Sequence, residues 1–227
     1  MSNSSITREQ VETAIPKLEQ YAKDAMQRTG VPGIAVTVVF HDEVLYLKGF
    51  GVRKVGENQA VDADTVFQIA SLSKPIASTV VAGVVGDKLV SWDDPIIKHD
   101  PGFQMDNPYV TQKVTIRDMF SHRSGLPDHA GDLLEDIGFD RATILDRLRY
   151  LPTDNYFRSK YDYTNFGLTE AAVAAAKAVG KTWEDLAEQR LYQRLGMKDT
   201  SSRFADYEAA SNRALLHVEE NGQWVAR

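Results

Sequence analysis

Phe67-Gln68-Ile69-Ala70-Ser71-Leu72-Ser73-Lys74-Pro75 sets a hydroxyl and an amine three residues apart at the mouth of an apolar run, Ile76 to Val85. The run holds no breaker before Gly83 and Gly86, so the pattern predicts a buried helix beginning near Ser71. Pro75 suits a first turn, where its missing N–H has no partner in any case. Residues three apart on a helix are neighbours, which puts Ser71 and Lys74 on one face. A serine hydroxyl attacks poorly unless a neighbouring base takes its proton, and an amine in a dry pocket near the positive end of a helix loses part of its hold on its own proton. The same helix start favours the negative charge that develops on the attacking oxygen. With 13 Ser and 12 Lys in 227 residues, a Ser-x-x-Lys pair arises by chance ~0.7 times. The rest of the chain must therefore decide between a nucleophile with its base and a helix cap with a solvated lysine.

Upstream, Thr7-Arg8-Glu9-Gln10 has the form of a capping box, and Val11, Ile15, Leu18, Ala22, Ala25 and Met26 recur at helical spacing until Thr29-Gly30. This one-sided helix needs a partner. Gly33 to Phe40 and Val44 to Phe50 read as the strands of a β-hairpin turning at His41-Asp42-Glu43, with a third short extended piece between Gly51 and Val55. Two or three antiparallel strands make only part of a sheet and leave an open edge. Downstream of the Ser71 helix the strand signal vanishes. A Pro/Asp-rich loop runs from Trp92 to Pro108, a helix starts near Thr115, and a loop spans His122 to Gly131. A helix follows from Asp140 to Tyr150, then a loop through Tyr163-Thr164-Asn165, an Ala-rich helix from Leu168 to Val179, and an amphipathic helix from Trp183 to Leu195. Ala214 to Val225 suggests two short strands about an Asn221-Gly222 turn. The expected architecture is α/β in the α+β sense: an antiparallel sheet flanked by helices, with an inserted all-helical region and a sheet left incomplete. A single domain spans 1–227, made of a helix and hairpin over 1–60, a helical region over 61–205 and the start of a returning sheet over 206–227.

Composition narrows the function. Hydrophobic residues are 43% and charged residues 26%, as in an ordinary folded domain. A net charge of −6 with no Lys/Arg run argues against nucleic acid as a partner. No apolar stretch reaches the length of a membrane span, and Lys177 interrupts the tract from Ala171 to Val179. The first residues show no signal-peptide pattern, so the expected location is the cytoplasm, or the periplasm or exterior if a signal has been removed. Zero cysteines exclude disulfides, thiol catalysis and Cys-ligated metal.

Further landmarks now give Ser71 its context. Ser71-Leu-Ser-Lys74 within Phe-Gln-Ile-Ala-Ser-Leu-Ser-Lys-Pro resembles the nucleophile motif of the serine β-lactamase and penicillin-binding-protein superfamily, in the arrangement of its class C-like branch, which also holds D,D-peptidases and related esterases. Val90-Ser-Trp-Asp-Asp-Pro95 resembles that family's Leu-Asp-Asp-Pro turn. Val114 to Pro127, ending Ser-His-Arg-Ser-Gly-Leu-Pro, resembles its Thr-His-x-Ser-Gly-Leu-Pro loop. Tyr163-Thr-Asn165 matches Tyr-x-Asn, and Leu195-Gly-Met-Lys-Asp-Thr200 matches the segment that closes its helical region. These landmarks run in the family's order over roughly residues 30 to 200, which outweighs the chance rate of any one.

The resemblance implies a serine hydrolase acting through an acyl-enzyme on an amide, β-lactam or ester. Ser71 attacks a carbonyl, and Lys74 and Tyr163 share the proton between nucleophile, leaving group and water, with the primary base left open between them. A phenol is a poor base at neutral pH unless nearby positive charge lowers its pKa, and Lys74 is placed to supply it. Asn165 donates its amide to the substrate and helps hold Lys74. The implied partner is a small-molecule or peptide-like substrate, with no cofactor and no metal. Asn165 favours penicillin-binding or β-lactam chemistry, since related esterases often keep the tyrosine and lose the asparagine. An esterase and a non-catalytic binding module of the same fold are the alternatives.

One departure matters. The family's C-terminal strands carry a Lys/His-x-Gly motif and one of two oxyanion-hole N–H groups, and nothing after Asn165 reads so; His129-Ala-Gly131 precedes the tyrosine. The chain is therefore expected to be a fragment, truncated, cleaved or completed by a second polypeptide. Alone it should lack half the oxyanion hole, a loss of about a hundred- to a thousandfold in rate. Other candidates carry less. Gly180-Lys181-Thr182 ends a helix instead of opening one, which excludes a phosphate loop. His122, His129, Asp128 and Asp132 have no helical metal spacing and read as loop structure. His41, His99 and His217 are expected to be isolated and exposed, and Ser73 and Ser124 structural.

Overall fold

The computed structural model of the chain describes residues 6–153 and 156–227. Their contacts sort them into two units, residues 6–69 with 203–227, and residues 70–202.

In the first unit the capping box forms as its pattern predicts. Thr7 Oγ1 accepts from the Gln10 N–H at 3.2 Å while the Gln10 side chain accepts from the Thr7 N–H at 2.9 Å, opening α1 (Arg8–Thr29). The hairpin pairs β1 (Gly33–Phe40) with β2 (Glu43–Gly51), and the register slips at Val38/Val39. Glu19 of α1 ties the helix to β2, accepting from Tyr46 Oη and from Lys48 Nζ, each at 3.0 Å. The expected third extended piece reduces to one bridge, Val52 to Ala60. After a short helix, Phe204–Ala209, that shows no sequence periodicity of useful length, β3 (His217–Glu220) and β4 (Gln223–Ala226) turn at Asn221-Gly222. Asn221 and Gly222 both take positive φ, the geometry of a tight hairpin. Among the described residues β3 and β4 form a ladder only with each other.

The second unit is helical. A 3₁₀ turn, Ala70–Leu72, leads into α2 (Ser73–Gly86), so the regular helix opens two residues after Ser71. Pro75 lies in the first turn of α2, where the N–H it lacks would be unpaired. Val80, Val81 and Val84 of α2 are buried, and burial of each contributes about 1.5–3 kcal/mol. Short helices α3 (Ile96–His99), α4 (Pro108–Lys113), α5 (Ile116–Phe120) and α6 (Asp132–Asp136) follow. Three of them, α3, α4 and α6, lie where no helix is expected, because one turn of helix leaves no periodic pattern; α4 is announced only by its Asn107 cap and Pro108. Next come α7 (Arg141–Arg147), extended by a 3₁₀ turn to Tyr150, and α8 (Asn165–Ala178). The final α9 (Trp183–Ala187) continues as a π turn to Tyr192.

The Ala-rich α8 is the axis of this unit, with α2, α3, α5, α7 and α9 packed around it. Its small side chains let neighbours approach from several sides, and Ala171, Ala174, Ala175 and Ala176 are fully buried. The Trp92 to Pro95 turn is docked on α5: Ile116 N–H donates to Asp94 O at 3.1 Å and Arg117 N–H to Trp92 O at 2.8 Å. That docking fixes the chain leaving α2 against the helix that leads into the His122 loop.

Candidate active site

Ser71 and Lys74, singled out by spacing, and Tyr163 and Asn165, implied by the Tyr-x-Asn resemblance, meet in the helical unit. Ser71 Oγ lies 2.5 Å from Tyr163 Oη, and Lys74 Nζ donates to Ser71 Oγ at 3.1 Å and to Asn165 Oδ1 at 2.6 Å. Ser71 is exposed, and the other three are half-buried. The serine thus faces solvent with its two candidate proton partners behind it.

Local structure explains the placement. Ala70 holds φ at +45°, an unusual and costly conformation for a residue with a Cβ. It turns the chain into the 3₁₀ turn that carries Ser71, and α2 then brings Lys74 round beneath it. The Tyr163 segment is gripped by the His122 to His129 loop. Asp162 N–H donates to His122 O at 2.9 Å, Thr164 N–H to His122 Nδ1 at 3.2 Å, and His129 N–H to Tyr163 O at 2.7 Å. The two histidine rings lie 4.8 and 5.4 Å from the tyrosine ring. Asn165 is the first residue of α8, which starts three residues earlier than Leu168 because the polar Thr164-Asn165 entry belongs to the helix.

The electrostatics follow. Hydrogen bonds to Lys74 and then to Ser71 hold the Tyr163 phenol below its ordinary range, and Lys74 Nζ also lies 4.6 Å from the centre of the ring. Burial, then the charge of Lys74, lowers the affinity of His122 for a proton, consistent with its Nδ1 accepting from Thr164. The cluster can take a proton from Ser71 Oγ and hold it within one hydrogen bond.

Sequence reasoning missed Asp132. It gave the Asn165 amide to a substrate, whereas Nδ2 donates to Asp132 Oδ2 at 2.9 Å. It left His122, His129 and Asp132 as plain loop, whereas all three touch the cluster or its second rank. The single signal for Asp132 is its place after Gly131, whose φ of +92° turns the loop toward α8. Among the described residues no three His, Asp or Glu side chains gather as a metal site requires. Ser124 is structural, its buried Oγ accepting from Leu126 N–H at 3.3 Å. His99 and His217 are not isolated: His99 packs 2.8 Å from Asp94 Oδ2, and His217 Nε2 accepts from Val55 N–H at 3.0 Å.

Comparison with known proteins gives these contacts a setting. A family model described as Beta-lactamase matches residues 18–227. Unguisins hydrolase ungD of Aspergillus violaceofuscus (strain CBS 115571) is 28% identical over 198 residues, which cover 83% of this chain and 34% of that protein. The D-alanyl-D-alanine-carboxypeptidase/endopeptidase AmpH of Escherichia coli (strain K12) is 28% identical over 188 residues, covering 81% of this chain and 49% of AmpH. The solved structure of EstCE1, described as a hydrolase with promiscuous acyltransferase activity, superposes with a TM-score of 0.82 at 16% identity, over 96% of this chain and 60% of that one. The chain thus spans a third to a half of the length of these curated relatives. No helix among the described residues is long and apolar enough to cross a membrane.

Proposed function

This chain belongs to the Beta-lactamase family, and from that premise we propose that it is the nucleophile-bearing part of a serine hydrolase that works through an acyl-enzyme on an amide, a β-lactam or an ester. The observation that carries the reading is one hydroxyl, Ser71 Oγ, held within hydrogen-bond reach of both an amine and a phenol. In this reading Ser71 Oγ attacks the substrate carbonyl as its proton passes to Tyr163, whose ionised form Lys74 stabilises. Tyr163 then returns the proton to the departing nitrogen or oxygen, leaving an ester on Ser71. Water, giving its proton to the same phenol oxygen, hydrolyses that ester and frees the serine.

Asn165, with its oxygen on Lys74, fixes the amine. One of its two amide protons goes to Asp132, leaving one for a substrate carbonyl. An ester hydrolase of the same fold is the second reading, since the same hydroxyl, amine and phenol serve an ester carbonyl as well as an amide. The open edges of both two-stranded sheets suit further strands, and we assign the second oxyanion donor to such a strand, from a longer chain or a second polypeptide.

Intact mass after incubation with a penicillin or a fluorophosphonate tests the reading. A stable adduct that disappears in Ser71→Ala is expected; absence of any adduct in the protein with its sheet completed points instead to a non-catalytic module. Turnover of a chromogenic cephalosporin against a short-chain nitrophenyl ester then separates the two hydrolase readings.

A further inference from the structure

Asp132, the first residue of α6, joins two groups that no sequence motif connects. Its Oδ2 accepts from Asn165 Nδ2 at 2.9 Å and lies 2.8 Å from His129 Nδ1, while its Oδ1 is buried without a partner among the described residues. A primary amide has nearly the same outline either way round, but an ionised carboxylate only accepts. Asp132 therefore turns the NH2 of Asn165 toward α6 and leaves its oxygen toward Lys74 Nζ. With the amide reversed, two donors would meet at Lys74 and two acceptors at Asp132. The orientation of Asn165 is thus set from outside the Ser-Lys-Tyr-Asn constellation.

We propose, resting on the hydrolase reading above, that Asp132 is a positioning residue of the reaction, locking the Asn165 amide and through it the Lys74 amine beside Ser71, and that His129 adjusts the strength of that lock. His129 is exposed and faced by Asp132 of α6, by Asp128 of its own loop at 3.7 Å from Nε2, by Lys74 of α2 and by the Tyr163 ring. The hydrogen bond to Asp132 raises the affinity of its imidazole for a proton, with Asp128 adding to the effect and Lys74 opposing it. While His129 is charged, Asp132 divides its negative charge between the imidazolium and the Asn165 N–H. Loss of that proton leaves a stronger acceptor for Asn165, so the lock tightens as pH rises past the usual histidine midpoint.

The experiment pairs two readouts on the whole chain: the Asn165 side-chain amide resonances of ¹⁵N-labelled protein, and the rate of Ser71 acylation by a fluorophosphonate, both from about pH 5 to 9. The expected Asn165 resonance steps with a midpoint above the ordinary histidine value of about 6.5, and the step vanishes in His129→Gln. Asp132→Ala should release the amide and slow acylation about ten- to a hundredfold. Asp132→Asn, close in shape and still able to accept, should recover part of that rate. Asn165 resonances unchanged in both Asp132 variants, or acylation of Asp132→Ala at the wild-type rate with the amide released, would overturn the proposal. If wild-type Ser71 takes no adduct while the Asn165 amide still follows His129, the hydrolase reading falls and the hydrogen-bonded chain through Asp132 stands.

Discussion

The phenol of Tyr163 is where the chemistry and the electrostatics of this site meet. Its hydrogen bonds to Lys74 and Ser71 favour the ionised form, so its ¹³Cζ resonance should titrate below the ordinary tyrosine midpoint of about 10. In Lys74→Ala the midpoint should move back up, and an unshifted wild-type phenol would break the link between the two residues. A second titratable group lies deep in the same unit. Burial, and then the charge of Asp100, raise the Glu170 carboxyl to about 8, although Lys177 opposes them, and its Oε1 has no hydrogen-bond partner among the described residues. Since the folded state holds this proton more tightly than the unfolded chain, the associated stability is present in full below the unfolded glutamate pKa and is lost as pH rises through about 8. Glu170→Gln, which stays neutral, should therefore gain in melting temperature over wild type between about pH 5 and 9. A gap between the two proteins that stays constant or narrows would contradict this. Ser71 and Lys74 were legible from their spacing at a helix start, and Tyr163 and Asn165 only through the Tyr-x-Asn resemblance and the order of the family's landmarks. Asp132 was not, because its partner in Asn165 lies 33 positions away and nothing in the letters between them encodes the fold of the loop.

At the scale of elements, capping chemistry was the readable part. Thr7, Thr115, Asp140 and Thr182 each stand at the start of a helix with the side chain accepting from a backbone N–H of the first turn. The one-turn helices α3, α4 and α6 were hidden, and so was the true start of α8, because an apolar period needs several turns before it can be seen. The junction of α6 with α8 depends on Gly131. A Cβ there would come within 2.9 Å of Ile144 Cγ2 and 3.0 Å of Phe166 Cδ2, and φ stands at +92°. Gly131→Ala should cost at least about 1 kcal/mol of stability in denaturant melts. It should also push Asp132 off Asn165, slowing acylation together with the loss of stability. Wild-type stability in this variant would show that the loop relaxes without strain.

Across the whole molecule, the sequence anticipated a helical insertion following a half-built sheet, and the helical unit of residues 70–202 holds every member of the candidate cluster. The sheet was less predictable. Hairpins are written in local turn signals, as at Asn221-Gly222, but which hairpin pairs with which depends on distant strands, and the two here remain separate pairs. The account as a whole depends on Ser71 being the nucleophile of a proton-sharing cluster. Peptide-resolved mass spectrometry of fluorophosphonate labelling over time tests this most directly. The label should fall on the peptide bearing Ser71, at a rate at least about a hundredfold lower in Lys74→Ala and in Tyr163→Phe. Label on another residue, or equal rates in all three proteins, would contradict it.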